Sequence, residues 1–111
     1  MPLKKETHFF VSMELPLHIT PKAWQKIKAI CLEKKIPAQY ALRLSMRGSG
    51  CSGDFFLGFD VPKATDILFE LPEGNIIIDK SKLLYFYMMQ LDWIENEQGG
   101  GLKFDRQVST H

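Results

Sequence analysis

The chain has 111 residues, 45% of them hydrophobic and 24% charged, and its 14 basic and 13 acidic side chains leave a formal net charge of +1. This length and composition fit one globular domain and exclude a disordered or collagen-like chain. The small net charge offers no general attraction for nucleic acid or an anionic membrane. The longest strongly apolar run, residues 83–89, is too short to span a membrane. No secretory signal pattern opens the chain, so we expect a cytoplasmic protein.

The first third of the chain predicts an extension followed by a helix. Residues 1–16 are interpreted as an N-terminal extension with some strand character. Thr20-Pro21 is typical of a helix start, with threonine as the N-cap and proline at the first helical position. Apolar side chains then recur at helical spacing as far as Cys31, which predicts an amphipathic helix that ends before Pro37.

The apolar period then changes from that of a helix to that of a strand. Residues 42–47 and 54–60 alternate apolar and polar side chains, which predicts two antiparallel strands joined by a glycine-rich loop. Residues 67–71 and 75–78 predict two further strands around a Pro72-Glu73-Gly74 turn. The second of these has three consecutive isoleucines at residues 76–78, so we expect it at the centre of a sheet.

The last third predicts a short helix and two strands. Ser81 is expected to cap a helix over residues 82–88. Strands are expected around Leu91 and Trp93 and over residues 102–104, separated by a turn at residues 99–101. Together these patterns predict one strand-rich α+β domain with two helices.

The loop between the first two regular strands is the unusual feature of the sequence. It reads Gly-Ser-Gly-Cys-Ser-Gly over residues 48–53 and contains Cys51. Its glycines match G-x-G-x-x-G, but that motif binds a dinucleotide only where a helix follows, and here a strand follows. Two chemical interpretations stay open. Cys51 is either a nucleophile whose thiolate is stabilised by loop amides or a ligand for iron or an iron–sulfur cluster.

Residues 42–53 resemble the signature segment of the HesB/IscA-like family, the A-type iron–sulfur cluster carriers. The order and spacing of the later strand segments are also similar, so the resemblance covers residues 17–105 as a HesB-like domain, followed by a short tail over residues 106–111. The resemblance implies two layers of mixed strands with two flanking helices. It also implies that the protein works in iron–sulfur cluster biogenesis with apo-proteins as partners, as a homo-oligomer and without enzyme activity.

The family holds iron or a [2Fe–2S] cluster with three cysteines, of which the first matches Cys51. The resemblance therefore implies that Cys51 is the metal ligand and that Gly50 and Gly53 shape its binding loop. The other two family cysteines lie in a Cys-Gly-Cys after an Asn-Pro pair, whereas the corresponding residues 105–111 contain neither feature. We therefore expect transient ligation of iron or a cluster, with a second copy, a relative or an external thiol adding ligands.

Two other functions compete with a carrier role for this sequence. One is a metal-free interaction domain on the same fold that contacts a partner through aromatic and methionine side chains of residues 85–89. The other is a thiol-dependent enzyme that uses Cys51 as its nucleophile. Cys31 lies on the apolar face of the predicted helix, so we expect it to be a small core residue. His8, His18 and His111 are interpreted as ordinary strand, turn or tail residues.

Overall fold

The structure is a computed structural model that describes residues 10–12, 14–48 and 54–106, with the side chains of residues 14–48 and 54–106. These ranges contain eight strands, one α-helix and one 3-10 helix, which confirms the predicted strand-rich α+β class. The elements are β1 (Phe10–Ser12), β2 (His18–Ile19), α1 (Pro21–Glu33), β3 (Ala41–Arg47), β4 (Asp54–Asp60), β5 (Asp66–Leu71), β6 (Gly74–Asp79), the 3-10 helix (Lys80–Phe86), β7 (Met89–Asn96) and β8 (Gly99–Arg106).

The strands form two mixed sheets. The larger sheet has the order β1-β5-β6-β3-β4, and the smaller one has the order β2-β7-β8. The middle position of β6 confirms the prediction of a central strand, and its residues Ile76, Ile77 and Ile78 have no exposed surface. In both sheets parallel and antiparallel pairs occur side by side, for example β3 with β6 and β3 with β4.

The core lies between the larger sheet and a second layer made of α1 and the smaller sheet. Leu42, Leu44 and Met46 alternate along β3 and point into this core, where they join residues of α1 such as Ile27 and residues of β7 such as Leu91. Each of these side chains contributes about 1.5–3 kcal/mol when it is fully buried. The period-two pattern of β3 thus determines which face of the larger sheet is covered.

Helix α1 begins as the sequence predicts. The Thr20 hydroxyl accepts a hydrogen bond from the Ala23 N–H at 3.1 Å, which is the expected N-cap interaction. The same hydroxyl donates to the Asp92 carboxylate of β7 at 2.6 Å. The cap therefore also attaches the start of α1 to the smaller sheet. The helix ends at Glu33, before Pro37.

The second helix differs from the prediction in type, position and cap. It is a 3-10 helix over Lys80–Phe86, and its N-cap is Asp79 rather than Ser81. The Asp79 carboxylate accepts hydrogen bonds from the Ser81 backbone N–H at 2.8 Å and from the Ser81 hydroxyl at 2.7 Å. Aspartate is an equally good cap, and it comes first because β6 ends at this residue.

The turn predicted at residues 99–101 is wrong, because these glycines begin β8. The reversal instead occurs at residues 97–98, where the Asn96 side chain accepts a hydrogen bond from the Gln98 N–H at 2.9 Å. Gly100 is required in the strand itself. A Cβ atom at this position would lie 2.5 Å from the Trp93 ring, which packs over the glycine.

The outer face of the larger sheet is crossed by the connection between β4 and β5. These two strands are parallel and are separated by β3 and β6. Residues 61–65 must therefore return across the sheet from one end to the other. Below this crossing, Ala41, Leu68 and Ile77 form a second small cluster of buried side chains.

Arg43 holds the crossing segment in place. Its guanidinium donates to both carboxylate oxygens of Asp66 at 2.8 and 2.6 Å and to Asp60 at 3.0 Å. The polar face of β3 is thus partly covered, and the Arg43 side chain is only 20% exposed. Lys63 completes the network, since its backbone N–H donates to Asp66 and its ammonium donates to Asp60.

This network predicts a dependence of stability on pH. The Asp60 carboxylate accepts hydrogen bonds from the Lys63 side chain, the Val61 backbone N–H and Arg43. These bonds lower the pKa of Asp60 from its ordinary 3.8 to about 2. A carboxylate with a lowered pKa stabilises the fold above its ordinary pKa, and this contribution is lost as the pH falls through about 2. We expect Asp60→Asn to reduce the slope of unfolding free energy against pH between pH 4 and 2 in urea titrations. An unchanged slope would contradict the assignment.

Candidate functional site

The glycine-rich loop connects the ends of β3 and β4. These strands pair antiparallel from Ala41 opposite Asp60 to Arg47 opposite Asp54, which confirms the predicted hairpin. The loop leaves β3 through Gly48, whose φ of 93° lies in the left-handed region. Glycine adopts this conformation freely, whereas another L-residue would cost about 1–2 kcal/mol there. The first glycine of the motif therefore has a defined conformational role.

The predicted site residues Gly50, Cys51 and Gly53 lie outside the described residues. What the structure provides is the stem from which the loop extends. Cys51 precedes Asp54 by three residues, so chain connectivity keeps it at this end of the hairpin. The described residues at the stem are therefore the ones nearest to it along the chain.

Three phenylalanine rings from three different elements meet at the stem. Phe55 of β4 lies 5.3 Å from Phe86 of the 3-10 helix and 5.6 Å from Phe104 of β8, and the last two are 5.9 Å apart, measured between ring centroids. Such distances are those of favourable edge-to-face and tilted pairs. We call these three residues the aromatic cluster. It forms an apolar base at the end of the hairpin where the loop begins.

The aromatic cluster also brings the end of β8 to the loop. Phe104 contacts Phe55, which lies one residue beyond the start of β4, and β8 ends two residues after Phe104 at Arg106. The chain after Arg106 therefore starts at the same end of the molecule as the loop. His111 belongs to that segment and lies outside the described residues.

A cationic and an anionic side chain flank the loop on the outer face of the sheet. Arg47 and Asp54 form the last described strand pair, and the Arg47 guanidinium lies 4.9 Å from the centroid of the Phe56 ring. Phe56 is 40% exposed, so this cation–π contact is at the surface. The sequence alternation places Arg47 on the polar face, but it does not reveal the stacking.

Cys31 lies at the opposite end of the same hairpin. It lines a cavity of about 490 Å³ together with Leu42 and Phe59, which pair with each other near the start of β3. From Leu42 to Arg47 the strand rises about 17 Å. Cys31 therefore lies at the end of the hairpin opposite to the one from which the Cys51 loop begins.

The environment of Cys31 is that of a partly buried core thiol. It packs against the main hydrophobic core, and its burial raises the pKa of the thiol above its ordinary value. A raised pKa lowers the fraction of thiolate, which is the form that binds metals and attacks electrophiles. This agrees with the interpretation of Cys31 as a small core residue.

The acidic residues of the described part do not form a metal site. No group of three or more His, Cys, Asp and Glu side chains in these ranges could hold a metal ion. Several of these aspartates have partners already, since Asp60 and Asp66 bind Arg43, Asp79 binds Ser81 and Asp92 binds Thr20. Any metal-binding group must therefore include residues beyond the described ranges.

Comparison with known proteins identifies the family. Residues 15–111 match the sequence profile of iron–sulphur cluster biosynthesis proteins. The chain belongs to this family. A relative from Buchnera aphidicola, the iron–sulfur cluster insertion protein ErpA, is 38% identical over 86 residues, which cover 75% of this chain and 76% of the relative. ErpA of Stenotrophomonas maltophilia is 33% identical over 92 residues, covering 81% and 70% of the two chains.

Solved structures agree with this membership. IscA with the [2Fe–2S] cluster superimposes with a TM-score of 0.62 at 26% identity and covers 81% of this chain and 84% of its own. SufA of Escherichia coli superimposes with a TM-score of 0.65 over 83% of this chain and 87% of its own. Its identity is 19%, so it supports the fold alone. The expected HesB-like architecture is thereby confirmed. Among the described helices, none is long and apolar enough to cross a membrane.

Proposed function

We propose that this protein is a non-enzymatic assembly factor or carrier for iron–sulfur clusters that ligates iron or a [2Fe–2S] cluster transiently through the Cys51 thiolate. Family membership over residues 15–111 is the observation that carries the proposal. The resemblance matches Cys51 to the family's first ligand cysteine, and the strands that precede and follow its loop pair with each other up to Arg47 and Asp54. Transfer is ligand exchange, in which an incoming thiolate replaces the Cys51 thiolate on iron and no electron moves.

Ligand number favours transient binding. A [2Fe–2S] cluster takes about four protein ligands, and Cys31 packs against the core with a raised thiol pKa that disfavours the ligating thiolate. One thiolate per chain gives two in a symmetric pair of chains, half of the required number. We propose that low-molecular-weight thiols or the thiolates of a relative or an apo-protein complete the coordination. A cluster held this way can be passed on by exchanging weakly held ligands.

Anaerobic reconstitution tests this proposal. The purified protein is incubated with ferrous iron and sulfide, with and without glutathione, and visible absorbance and bound iron are measured. We expect a chromophore that increases several-fold with glutathione and that Cys51→Ser abolishes. Cys31→Ser is the matched control, and it should leave the chromophore unchanged. Equal iron binding in the wild type and Cys51→Ser would contradict the proposal.

One observation favours a second function, a metal-free interaction domain. Leu84, Tyr87 and Met88 are 80%, 52% and 53% exposed, and they lie within two residues of the buried Phe86 of the aromatic cluster. This apolar surface next to the loop is suited to contact with a partner protein. Binding of such a partner that survives Cys51→Ser, with no chromophore in either protein, would favour the second function over the carrier.

A further inference from the structure

A second cavity adjoins the one that Cys31 lines, and together the two form a groove along helix α1. The first cavity has a volume of about 490 Å³ and the second a volume of about 400 Å³. Both are lined by Trp24 and Lys28 of α1 and by Glu73 of the turn between β5 and β6. We call these three residues the groove centre. Clefts of about 300–1,000 Å³ with mostly apolar walls and a few polar groups are typical of small-molecule sites.

Trp24 is a buried hydrogen-bond donor without an acceptor. It is only 9% exposed, and no described residue accepts a hydrogen bond from its indole N–H. The indole N–H of Trp93, by contrast, donates to the Glu95 carboxylate at 3.1 Å. A buried indole N–H normally has a partner, because an unpaired donor loses the hydrogen bond that it makes with water in the unfolded chain. A ligand that places an acceptor atom in the groove supplies this partner.

Lys28 adds a second donor beside the first. It lies four residues after Trp24, so the two side chains are neighbours on one face of α1. Lys22 and Lys26 of the same helix pair with Glu95. Lys28, on the groove side, has no ion pair with any of the described residues. An indole N–H and an ammonium group side by side suit a carboxylate, whose two oxygens each accept hydrogen bonds.

Glu73 provides the opposite charge on the facing wall of the groove. Like Lys28, it has no ion pair within the part of the chain that the structure describes. The turn that carries it packs closely on the helix, since a Cβ atom on Gly74 would lie 3.3 Å from the Trp24 ring. A carboxylate bound at Trp24 and Lys28 is therefore repelled by Glu73 unless the ligand also carries a positive charge. The groove centre is thus complementary to a zwitterion.

The larger cavity determines the remaining part of the ligand. Beyond the groove centre its walls are formed mainly by apolar and aromatic side chains, among them Ile27, Leu42 and Phe59. Tyr40, which is 40% exposed, lines the same cavity. An apolar group gains free energy when it leaves water for such a cavity. The walls therefore favour a ligand with a large apolar side chain next to its charged groups.

We propose that the groove binds a free α-amino acid with a large apolar side chain. Its carboxylate accepts hydrogen bonds from the Trp24 indole and the Lys28 ammonium, and its own ammonium donates to Glu73. Its side chain occupies the larger cavity. This site is formed by described residues at the end of the hairpin opposite to the one from which the Cys51 loop begins, so it is independent of the proposed function.

Titration of the full chain with three related compounds tests the proposal, and the ¹H–¹⁵N NMR signals of the two indole groups are the readout. L-Phenylalanine carries both charges, 3-phenylpropionate lacks the ammonium and 2-phenylethylamine lacks the carboxylate. We expect L-phenylalanine to shift the Trp24 signal to saturation and to bind roughly tenfold more tightly than either analogue, because each analogue loses a charge-assisted hydrogen bond. The Trp93 signal is the internal control and should not move, since Glu95 already accepts from this indole.

Two exposed variants assign the charges. Lys28→Met should weaken the binding of L-phenylalanine and 3-phenylpropionate roughly tenfold and leave that of 2-phenylethylamine unchanged. Glu73→Gln should weaken L-phenylalanine and 2-phenylethylamine but not 3-phenylpropionate. Lys26→Met is the matched control, because the Lys26 ammonium lies over the Trp93 ring at 4.8 Å, away from the groove.

Two results would overturn the proposal. One is a Trp24 indole signal that none of the three compounds shifts at millimolar concentrations. The other is equal affinity for L-phenylalanine and either analogue, since the groove centre then recognises no zwitterion. Both results are read on the protein without iron or sulfide, so they leave the test of the carrier function untouched.

Discussion

Arg43→Leu is expected to lower the free energy of unfolding by about 3–5 kcal/mol. Asp66 is 1% exposed, and two of its three described hydrogen bonds come from the Arg43 guanidinium. Removal of the guanidinium leaves a buried carboxylate whose charge has no counterion. It also releases the segment that crosses the outer face of the larger sheet. Urea unfolding at pH 7, followed by tryptophan fluorescence, measures the loss.

Two further variants separate the buried ion pair from a general effect of arginine removal. Arg47 lies on the same face of β3 as Arg43. Arg47→Leu removes a surface contact with Phe56 and should lower the free energy of unfolding by less than about 1 kcal/mol. Asp66→Asn combined with Arg43→Leu should recover part of the stability, because the buried charge is gone. A loss below 1 kcal/mol for Arg43→Leu alone would contradict the role assigned to the pair.

The fold could be predicted from the sequence where local patterns and long-range packing agree. The alternation in β3 and β4, the apolar run of β6 and the Thr20-Pro21 helix start each reflect a local preference that the tertiary structure also satisfies. Arg43 shows where this breaks down. Its place on a polar face is visible in the sequence, but its burial results from a segment twenty residues later that crosses the sheet.

The candidate site, too, could be predicted from the sequence only in part. The composition of the loop and its resemblance to the family indicate Cys51, and the strand pattern places the loop at a hairpin end. The aromatic cluster was not predicted, because Phe55, Phe86 and Phe104 come from three elements and only the packing of both sheets brings them together. The same holds for Gly100. The Trp93 ring packs over it and leaves no room for a side chain, but no local pattern in the sequence reveals this contact.

Phe86→Ala is expected to lower the free energy of unfolding by about 3–5 kcal/mol. Phe86 has no exposed surface and contacts both other rings of the aromatic cluster, so the substitution leaves a cavity beneath the stem of the loop. The packing that Phe86 provides between β4 and β8 is then lost at the end where the loop begins. We therefore expect a second effect, a lower yield of the Cys51-dependent chromophore even under conditions where the variant is fully folded.

Tyr87→Ala is the control for both effects, because Tyr87 is the next residue and is 52% exposed. It should cost less than about 1 kcal/mol and leave the chromophore unchanged. Phe86→Leu, which retains most of the buried volume, should restore much of the stability and of the chromophore. Reconstitution at a temperature well below the midpoint of each variant separates unfolding from misplacement of the loop. If folded Phe86→Ala forms the chromophore as fully as the wild type, the aromatic cluster stabilises the domain without positioning the ligand loop.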